Sequence, residues 1–308
     1  TGTLRGAVIG VLHLGQHHAR ILSIMPGVEF VGVVDQRIDQ ARKIATPLNC
    51  PAFDDPAAVI DRVDAVVIAV PTRFHRQVAT PFLARGVHTL IEKPLAINAE
   101  EGAALVELAR HSGAVLQVGH IERFNPIFRA AREAGFQPRF INAERLSTYT
   151  FRSTDIGIVH DLMIHDLDLV LSLVPADIHS LSAVGVGVLG ELEDVAEARI
   201  QFEDGTVATL SASRVSYQPT RKMRLWSSEG YLSLDFGAKS ATVLRVSDEL
   251  RRGNLQLEGV DLTQPAKIRE HLFGTIFEVD HWQRSDREPL ALEIEDFLGA
   301  IREQRPPV

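Results

Sequence analysis

Three groups of residues in this sequence are spaced to do chemistry. Asp161, His165 and Asp168 fall at i, i+4 and i+7 within His160-Asp161-Leu162-Met163-Ile164-His165-Asp166-Leu167-Asp168, so one helical face carries carboxylate, imidazole, carboxylate. An imidazole titrates near neutrality, and a carboxylate one turn away orients it and strengthens its hold on a proton, which suits a general base. Two other readings stand beside that one. The histidine is structural and paired with its neighbours, or it binds a metal, for which the helix supplies two positions and the sequence no third. No metal is expected. The second group is Glu92-Lys93-Pro94, which closes the apolar run from Gly86. A lysine at a strand end can hold or polarise a substrate oxygen, or it is merely solvated. The third is Gly10-Val11-Leu12-His13-Leu14-Gly15, which has the G-x-G-x-x-G pattern with Leu12 at its second glycine.

In such a turn the first glycine permits the tight bend, the second admits a pyrophosphate against the backbone, and the third lets helix pack on strand. Gly10 and Gly15 meet two of these needs, and Leu12 stands where a diphosphate would pass. Asp35 ends the next apolar run, where a carboxylate accepts from ribose hydroxyls and repels a 2′-phosphate. That favours NAD over NADP, with Arg37 leaving some room for the phosphorylated form. The alternative is a turn of the same shape that binds nothing.

Positioning these groups requires two kinds of architecture. Through about residue 120, strand-length runs (Leu4 to Val11, Val28 to Asp35, Asp64 to Val70, Gly86 to Glu92, Val115 to Gly119) alternate with helical stretches. Those helices are Gly15 to Met25, Ile38 to Leu48, a short one near Pro56 to Arg62, Phe74 to Ala84 and Asn98 to His111. A doubly wound parallel α/β sheet follows, with its ligand crevice at the carboxyl ends of the strands. Beyond about residue 138 the pattern becomes alternating strands. Ala196 to Glu203 and Thr206 to Ser213 flank the turn signal Asp204-Gly205, and further strands fall at Lys222 to Trp226, Gly230 to Phe236 and Thr242 to Val246. Helices across Ile158 to Leu173 and Leu290 to Glu303 make this half α+β, with a mostly antiparallel open sheet. The expected domains are 1–121, a Rossmann dinucleotide-binding domain, and 122–308, for substrate and oligomerisation.

Composition narrows the function classes. With 308 residues and 45% hydrophobic content the chain has core enough for two domains. A net charge of −8 offers no general field for nucleic acid or an anionic membrane, and no apolar run reaches membrane-helix length. Arg5 followed by Gly6 to Leu12 reads as a core strand rather than a signal peptide. The single cysteine, Cys50, excludes a disulfide framework and points to a cytoplasmic home.

Taken together, the glycine turn, Pro71-Thr72 with His75, Glu92-Lys93-Pro94 and the Asp161/His165 pair resemble the Gfo/Idh/MocA family of sugar oxidoreductases, over nearly the whole chain. The resemblance implies catalytic roles for Lys93, Asp161 and His165. It implies a nicotinamide near Val70, Pro71, Thr72, His75, Glu92 and Lys93, with His13 and Leu14 in the turn also on the cofactor. It places substrate against the open face of the second sheet. Gln117 to Pro126, with His120, Arg123 and Phe124, and Arg221-Lys222-Met223-Arg224 resemble members that oxidise the 3-hydroxyl of UDP-N-acetylglucosamine and feed amino-sugar synthesis for lipid A. Arg221 and Arg224 would grip the diphosphate, or they form a charged surface strand pair. The implied substrate is a sugar or nucleotide sugar, and the implied assembly a homodimer or homotetramer. The alternatives are a dehydrogenase of another sugar, polyol or inositol, and a non-catalytic sensor or scaffold whose cofactor site Leu12 has impaired. Family members continue into a further helix where this chain has Arg305-Pro306-Pro307-Val308.

Overall fold

The computed structural model describes residues 2–151, 156–254, 261, 263–284 and 287–308. The chain forms two compact units, Thr1–Phe124 with Arg287–Val308, and Asn125–Asp286. In the first, strands alternate with helices: β1 (Leu4–Ile9), α1 (His13–Leu22), β2 (Val28–Val34), α2 (Ile38–Leu48), β3 (Ala52–Phe53), β4 (Ala65–Ile68), α3 (His75–Ala84), β5 (His88–Glu92), α4 (Ala99–Ser112) and β6 (Leu116–Gly119). Every strand pair is parallel, in the order β3-β2-β1-β4-β5-β6. This is the Rossmann order, which reverses between β1 and β4 and opens a crevice at their carboxyl ends. β4 reads Ala-Val-Val-Ile and is buried throughout, as a strand covered on both faces must be. The expected caps of α4 are present: Asn98 accepts from the Glu101 amide at 2.9 Å, and Gly113 ends the helix at φ +74°.

The second unit runs α5 (Pro126–Glu133), β7 (Phe140–Leu146), a π-helical turn Val159–Met163 continuing into α6 (Ile164–Leu173), β8 (Ile178–Val186), β9 (Val195–Phe202), β10 (Val207–Ser213), β11 (Thr220–Ser227), β12 (Gly230–Asp235), β13 (Ser240–Val246), α7 (Asp248–Arg251), α8 (Pro265–His271) and β14 (Phe277–Gln283). Its sheet has the order β14-β13-β12-β11-β7-β10-β9-β8 and is antiparallel except where β7 meets β10. The Asp204-Gly205 hairpin forms as expected, with Gly205 at φ +82°. Alternation sends Ile141, Ala143, Leu210, Met223 and Leu225 to one face, where Ile127 and Phe128 of α5 and Leu169 and Val170 of α6 cover them. The opposite face carries Asn142, Glu144, Lys222 and Arg224.

The last helix, α9 (Pro289–Glu303), corrects the expected boundary at residue 121. Leu290, Ile294, Phe297 and Leu298 recur at i, i+4, i+7 and i+8 and pack with Val8, Val33, Val67 and Leu90 of the parallel sheet. The helix therefore belongs to the first unit, completing the sheet face that α1 and α2 cover only in part. The sequence reading kept it with its chain neighbours because nothing local marks a return to an earlier sheet.

Candidate active site

Gly10 stands at φ +84°, and a Cβ there would meet the Ala69 carbonyl oxygen at 2.8 Å. A Cβ on Gly15 would fall 1.8 Å from the Gly10 carbonyl oxygen, so helix α1 touches the turn and only glycine fits. Leu12 has φ −80°, which any L-residue adopts, and its side chain is 41% exposed. The position of the missing second glycine therefore does not call for the positive φ that glycine alone adopts freely. α1 begins at His13 with no side-chain cap and no acidic residue in its first turn, leaving its amides to an anion. His13 and Leu14 are exposed on that turn. Asp35 accepts from the Val11 amide at 3.2 Å and the Arg37 amide at 3.0 Å, which fixes the carboxylate at the end of β2. Gly10, Leu12, Asp35, Arg37, Val70 and Pro71 all line one cavity of about 580 Å³.

Other expected cofactor residues are placed differently. His75 is buried, with Nε2 2.8 Å from the Val70 carbonyl oxygen and Nδ1 2.9 Å from that of Pro94. Both ring nitrogens are thus occupied by main chain, and His75 ties the end of β4 to the segment after Lys93. Glu92 is also buried, and its carboxylate faces His18 rather than the crevice, with Oε1 2.6 Å from Nε2. Lys93 is half-buried immediately after it, and Thr72 opens a short 3-10 turn. Among the described residues, one set of His, Cys, Asp and Glu groups has ligand atoms close enough to share an ion: His18, Glu92 and Glu293, within 4.8 Å.

In the second unit Asp161 lies in the π-helical turn and His165 one residue into α6. The expected uninterrupted α-helix is therefore widened where Asp161 sits, a distortion that recurs at functional sites. Asp161 and His165 are half-buried and Asp168 is buried. The neighbouring Asp166 takes a two-pronged bond from Arg145 of β7, at 2.9 and 2.8 Å. The two arginines expected on a diphosphate separate. β11 alternates, so Arg221 shares a row with Met223 and Leu225 on the helix-covered face, whereas Arg224 points to the open face. There Arg224 donates to Asn142 Oδ1 at 2.9 Å and to Glu144 Oε2 at 3.1 Å. The helix bearing Asp161 and His165 lies on the covered face, away from the open face expected to hold substrate. Phe124 is buried, which assigns it to packing, while His120 and Arg123 are half-buried beside it.

Residues 4–120 match the family described as "Oxidoreductase family, NAD-binding Rossmann fold", and residues 117–233 match the GFO/IDH/MocA C-terminal domain. The chain belongs to the Gfo/Idh/MocA family. Within this family the chain is 39% identical to UDP-N-acetylglucosamine 3-dehydrogenase of Acidithiobacillus ferrooxidans, over 98% of this chain and 90% of that protein. A solved structure of that enzyme superposes with a TM-score of 0.87 at 37% identity, covering 99% of this chain and 90% of that one. The scyllo-inositol 2-dehydrogenase (NAD⁺) of Bacillus subtilis is 30% identical, over 69% of this chain and 68% of its own length. As a Gfo/Idh/MocA protein the chain is an NAD-dependent oxidoreductase of the sugar-dehydrogenase type, and its residues fit the cofactor. The glycine cradle that any Cβ would fill, the uncapped start of α1 and the pre-oriented Asp35 adjoin one cavity. Among the described residues no helix is long and apolar enough to cross a membrane.

His18, Arg145, Asp194 and Glu293 carry buried polar contacts that no motif in the sequence marks. The signal for His18 was its spacing three residues beyond Gly15, on the face of α1 turned to the sheet.

Proposed function

We propose that this chain oxidises a sugar hydroxyl, with the 3-hydroxyl of a UDP-N-acetylhexosamine such as UDP-N-acetylglucosamine as the substrate group. The observation that carries the reading is the likeness, end to end, to the Acidithiobacillus ferrooxidans enzyme of that name, which is more extensive than the likeness to inositol dehydrogenases. NAD, held by Gly10, Gly15 and Asp35, supplies the hydride acceptor. His165 takes the hydroxyl proton. Asp161 orients that ring or a neighbouring hydroxyl. Lys93 holds the reacting oxygen and offsets the charge that develops on it. Of the basic cluster, Arg221 is the residue we assign to the diphosphate, since it shares the sheet face on which the helix of Asp161 and His165 lies.

The finer assignments rest on the same reading. A chain with one cysteine that draws on NAD and a nucleotide sugar belongs in the cytoplasm. The edge strand β8, with Leu181, Val184 and Val186 exposed, supports a homo-oligomer. The test is NADH formation with UDP-N-acetylglucosamine, scyllo-inositol and free N-acetylglucosamine, each with and without UDP as competitor. Turnover of the UDP-sugar alone, inhibited by UDP, is the expected result. Turnover of scyllo-inositol insensitive to UDP would replace this substrate with a polyol.

A further inference from the structure

Behind the turn that carries Lys93 lies a buried polar cluster drawn from three elements. His18 of α1, Glu92 of β5 and Glu293 of α9 are 0%, 7% and 0% exposed. Glu92 Oε1 meets His18 Nε2 at 2.6 Å, and Glu92 Oε2 accepts from the main-chain amide of Lys93 at 3.3 Å. The carboxylate also lies against Gly119 of β6, where a Cβ would stand 3.0 Å from Oε2. Glu293 closes the cluster from the last helix, and neither of its oxygens has a hydrogen-bond partner among the described residues. Gln117 of β6 donates to the Glu293 main-chain oxygen at 3.4 Å and so ties α9 to the same strand edge.

Two carboxylates buried side by side cannot both stay charged without compensation. An ion shared by these groups, with bonds of about 2.0–2.2 Å, would hold its ligand atoms roughly 3 Å or more apart. His18 and Glu92 are closer than that and are joined by a hydrogen bond, so a proton rather than an ion lies between them. Among the described residues, the charged or titratable groups near Glu293 include Glu92 from β5, His18 from α1 and Asp296 on its own helix, itself paired with Arg305, and the turn Ile121–Phe124 packed against α9 adds Glu122 and Arg123. Burial, with Glu92 and Asp296 adding to it, pushes the Glu293 carboxyl well above the usual carboxylate range, which favours its uncharged form.

We propose that His18 and Glu293 are positioning residues for Lys93: they confine the Glu92 carboxylate, and that carboxylate, through the Lys93 amide, sets the turn from which Lys93 reaches the reacting oxygen. The inference rests on the reading of Lys93 as the group that holds that oxygen. Loss of the Glu293 proton as pH rises would place a second negative charge beside Glu92 and disturb the turn.

The test compares kcat, KM and NAD affinity across pH for the whole chain and for His18→Ala, His18→Gln, Glu293→Gln and Lys93→Met, with UDP-N-acetylglucosamine or, if only it turns over, scyllo-inositol. His18→Ala is expected to lower kcat on the order of 10²-fold while changing NAD affinity less than about twofold. His18→Gln should recover most of that loss, because its amide can still donate to Glu92. Glu293→Gln, which cannot ionise, should carry the alkaline limb of kcat to higher pH. A separate readout needs no turnover: the infrared carbonyl stretch of a buried protonated carboxyl, present in the unmodified chain and absent from Glu293→Gln. An unchanged kcat in His18→Ala, equal losses in the Ala and Gln variants, an alkaline limb unmoved by Glu293→Gln, or no such infrared band would each overturn the proposal. If His18→Ala shows no cooperative unfolding transition, the Glu293→Gln pH profile and the infrared band decide. Full activity in Lys93→Met would remove the reading of Lys93 itself. An inactive Lys93→Met beside an active His18→Ala would remove only the positioning role.

Discussion

Arg145 of β7 grips Asp166 of α6 with two parallel hydrogen bonds, and both side chains are about 95% buried. Asp166 follows His165 directly, so this fork pins the start of α6 to the centre of the sheet. Arg145→Ala removes the fork from a buried carboxylate and should cost about 3–5 kcal/mol of stability, measured by urea unfolding. Arg145→Lys keeps the charge but loses the fork, and should fall between that variant and the unmodified chain.

His165→Ala should lower kcat by about 10²- to 10⁴-fold, the usual contribution of a positioned general base. NAD affinity, read by calorimetry, should stay near that of the unmodified chain, because the cofactor cleft lies wholly in the other unit. Full activity in this variant would exclude His165 as the base.

Leu12 has an ordinary φ and an exposed side chain, so NAD should stabilise the unmodified chain against heat. At about 100-fold over its dissociation constant the expected gain is roughly 2.7 kcal/mol. Leu12→Gly should bind NAD at least as tightly, since it clears the path of the diphosphate. A thermal shift seen only in Leu12→Gly would mark the native turn as impaired.

Asp194 accepts from the Val188 and Leu189 amides at 2.8 and 2.7 Å and from Arg214 Nε at 2.7 Å. The Leu189 amide, then Arg214 and the Val188 amide, hold its carboxyl down from 3.8 to about 2. A carboxyl with a lowered folded-state value stabilises above its unfolded value and loses that contribution as pH falls through the folded one. Acid unfolding should therefore draw on this group between pH 3.8 and about 2. Asp194→Asn should melt earlier at neutral pH, and its difference from the unmodified chain should shrink across that window.

The parallel sheet was legible because its strands are short apolar runs between periodic helices, and burial on both faces leaves little choice of residue. The second sheet was legible at the Asp204-Gly205 hairpin and along the alternating runs that became β11, β12 and β13, but not at β7, β8 or β14. β7, which lies at its centre, reads Phe-Ile-Asn-Ala-Glu-Arg-Leu, and the Arg145 fork places a charged residue at a core position. β8 is exposed along its whole length and so has no inward-facing pattern to find. At the site, the glycines and Asp35 could be read because backbone geometry dictates them. His75 and Glu92 could not be assigned their partners, since those partners are main-chain carbonyls in one case and a helix 74 residues away in the other. Spacing likewise grouped Arg221 with Arg224, whereas strand alternation puts them on opposite faces.

Because α9 completes the sheet that begins at Leu4, the nucleotide-binding unit is begun before the second unit and finished after it. A ribosome releases the second unit's entire length before the helix that seals Val8, Val33 and Val67 can arrive. Until then that apolar face is uncovered, so the growing chain depends on shielding by other factors or on delayed collapse. A fragment ending at Phe124 would carry every glycine of the cofactor turn and still lack one wall of its own core.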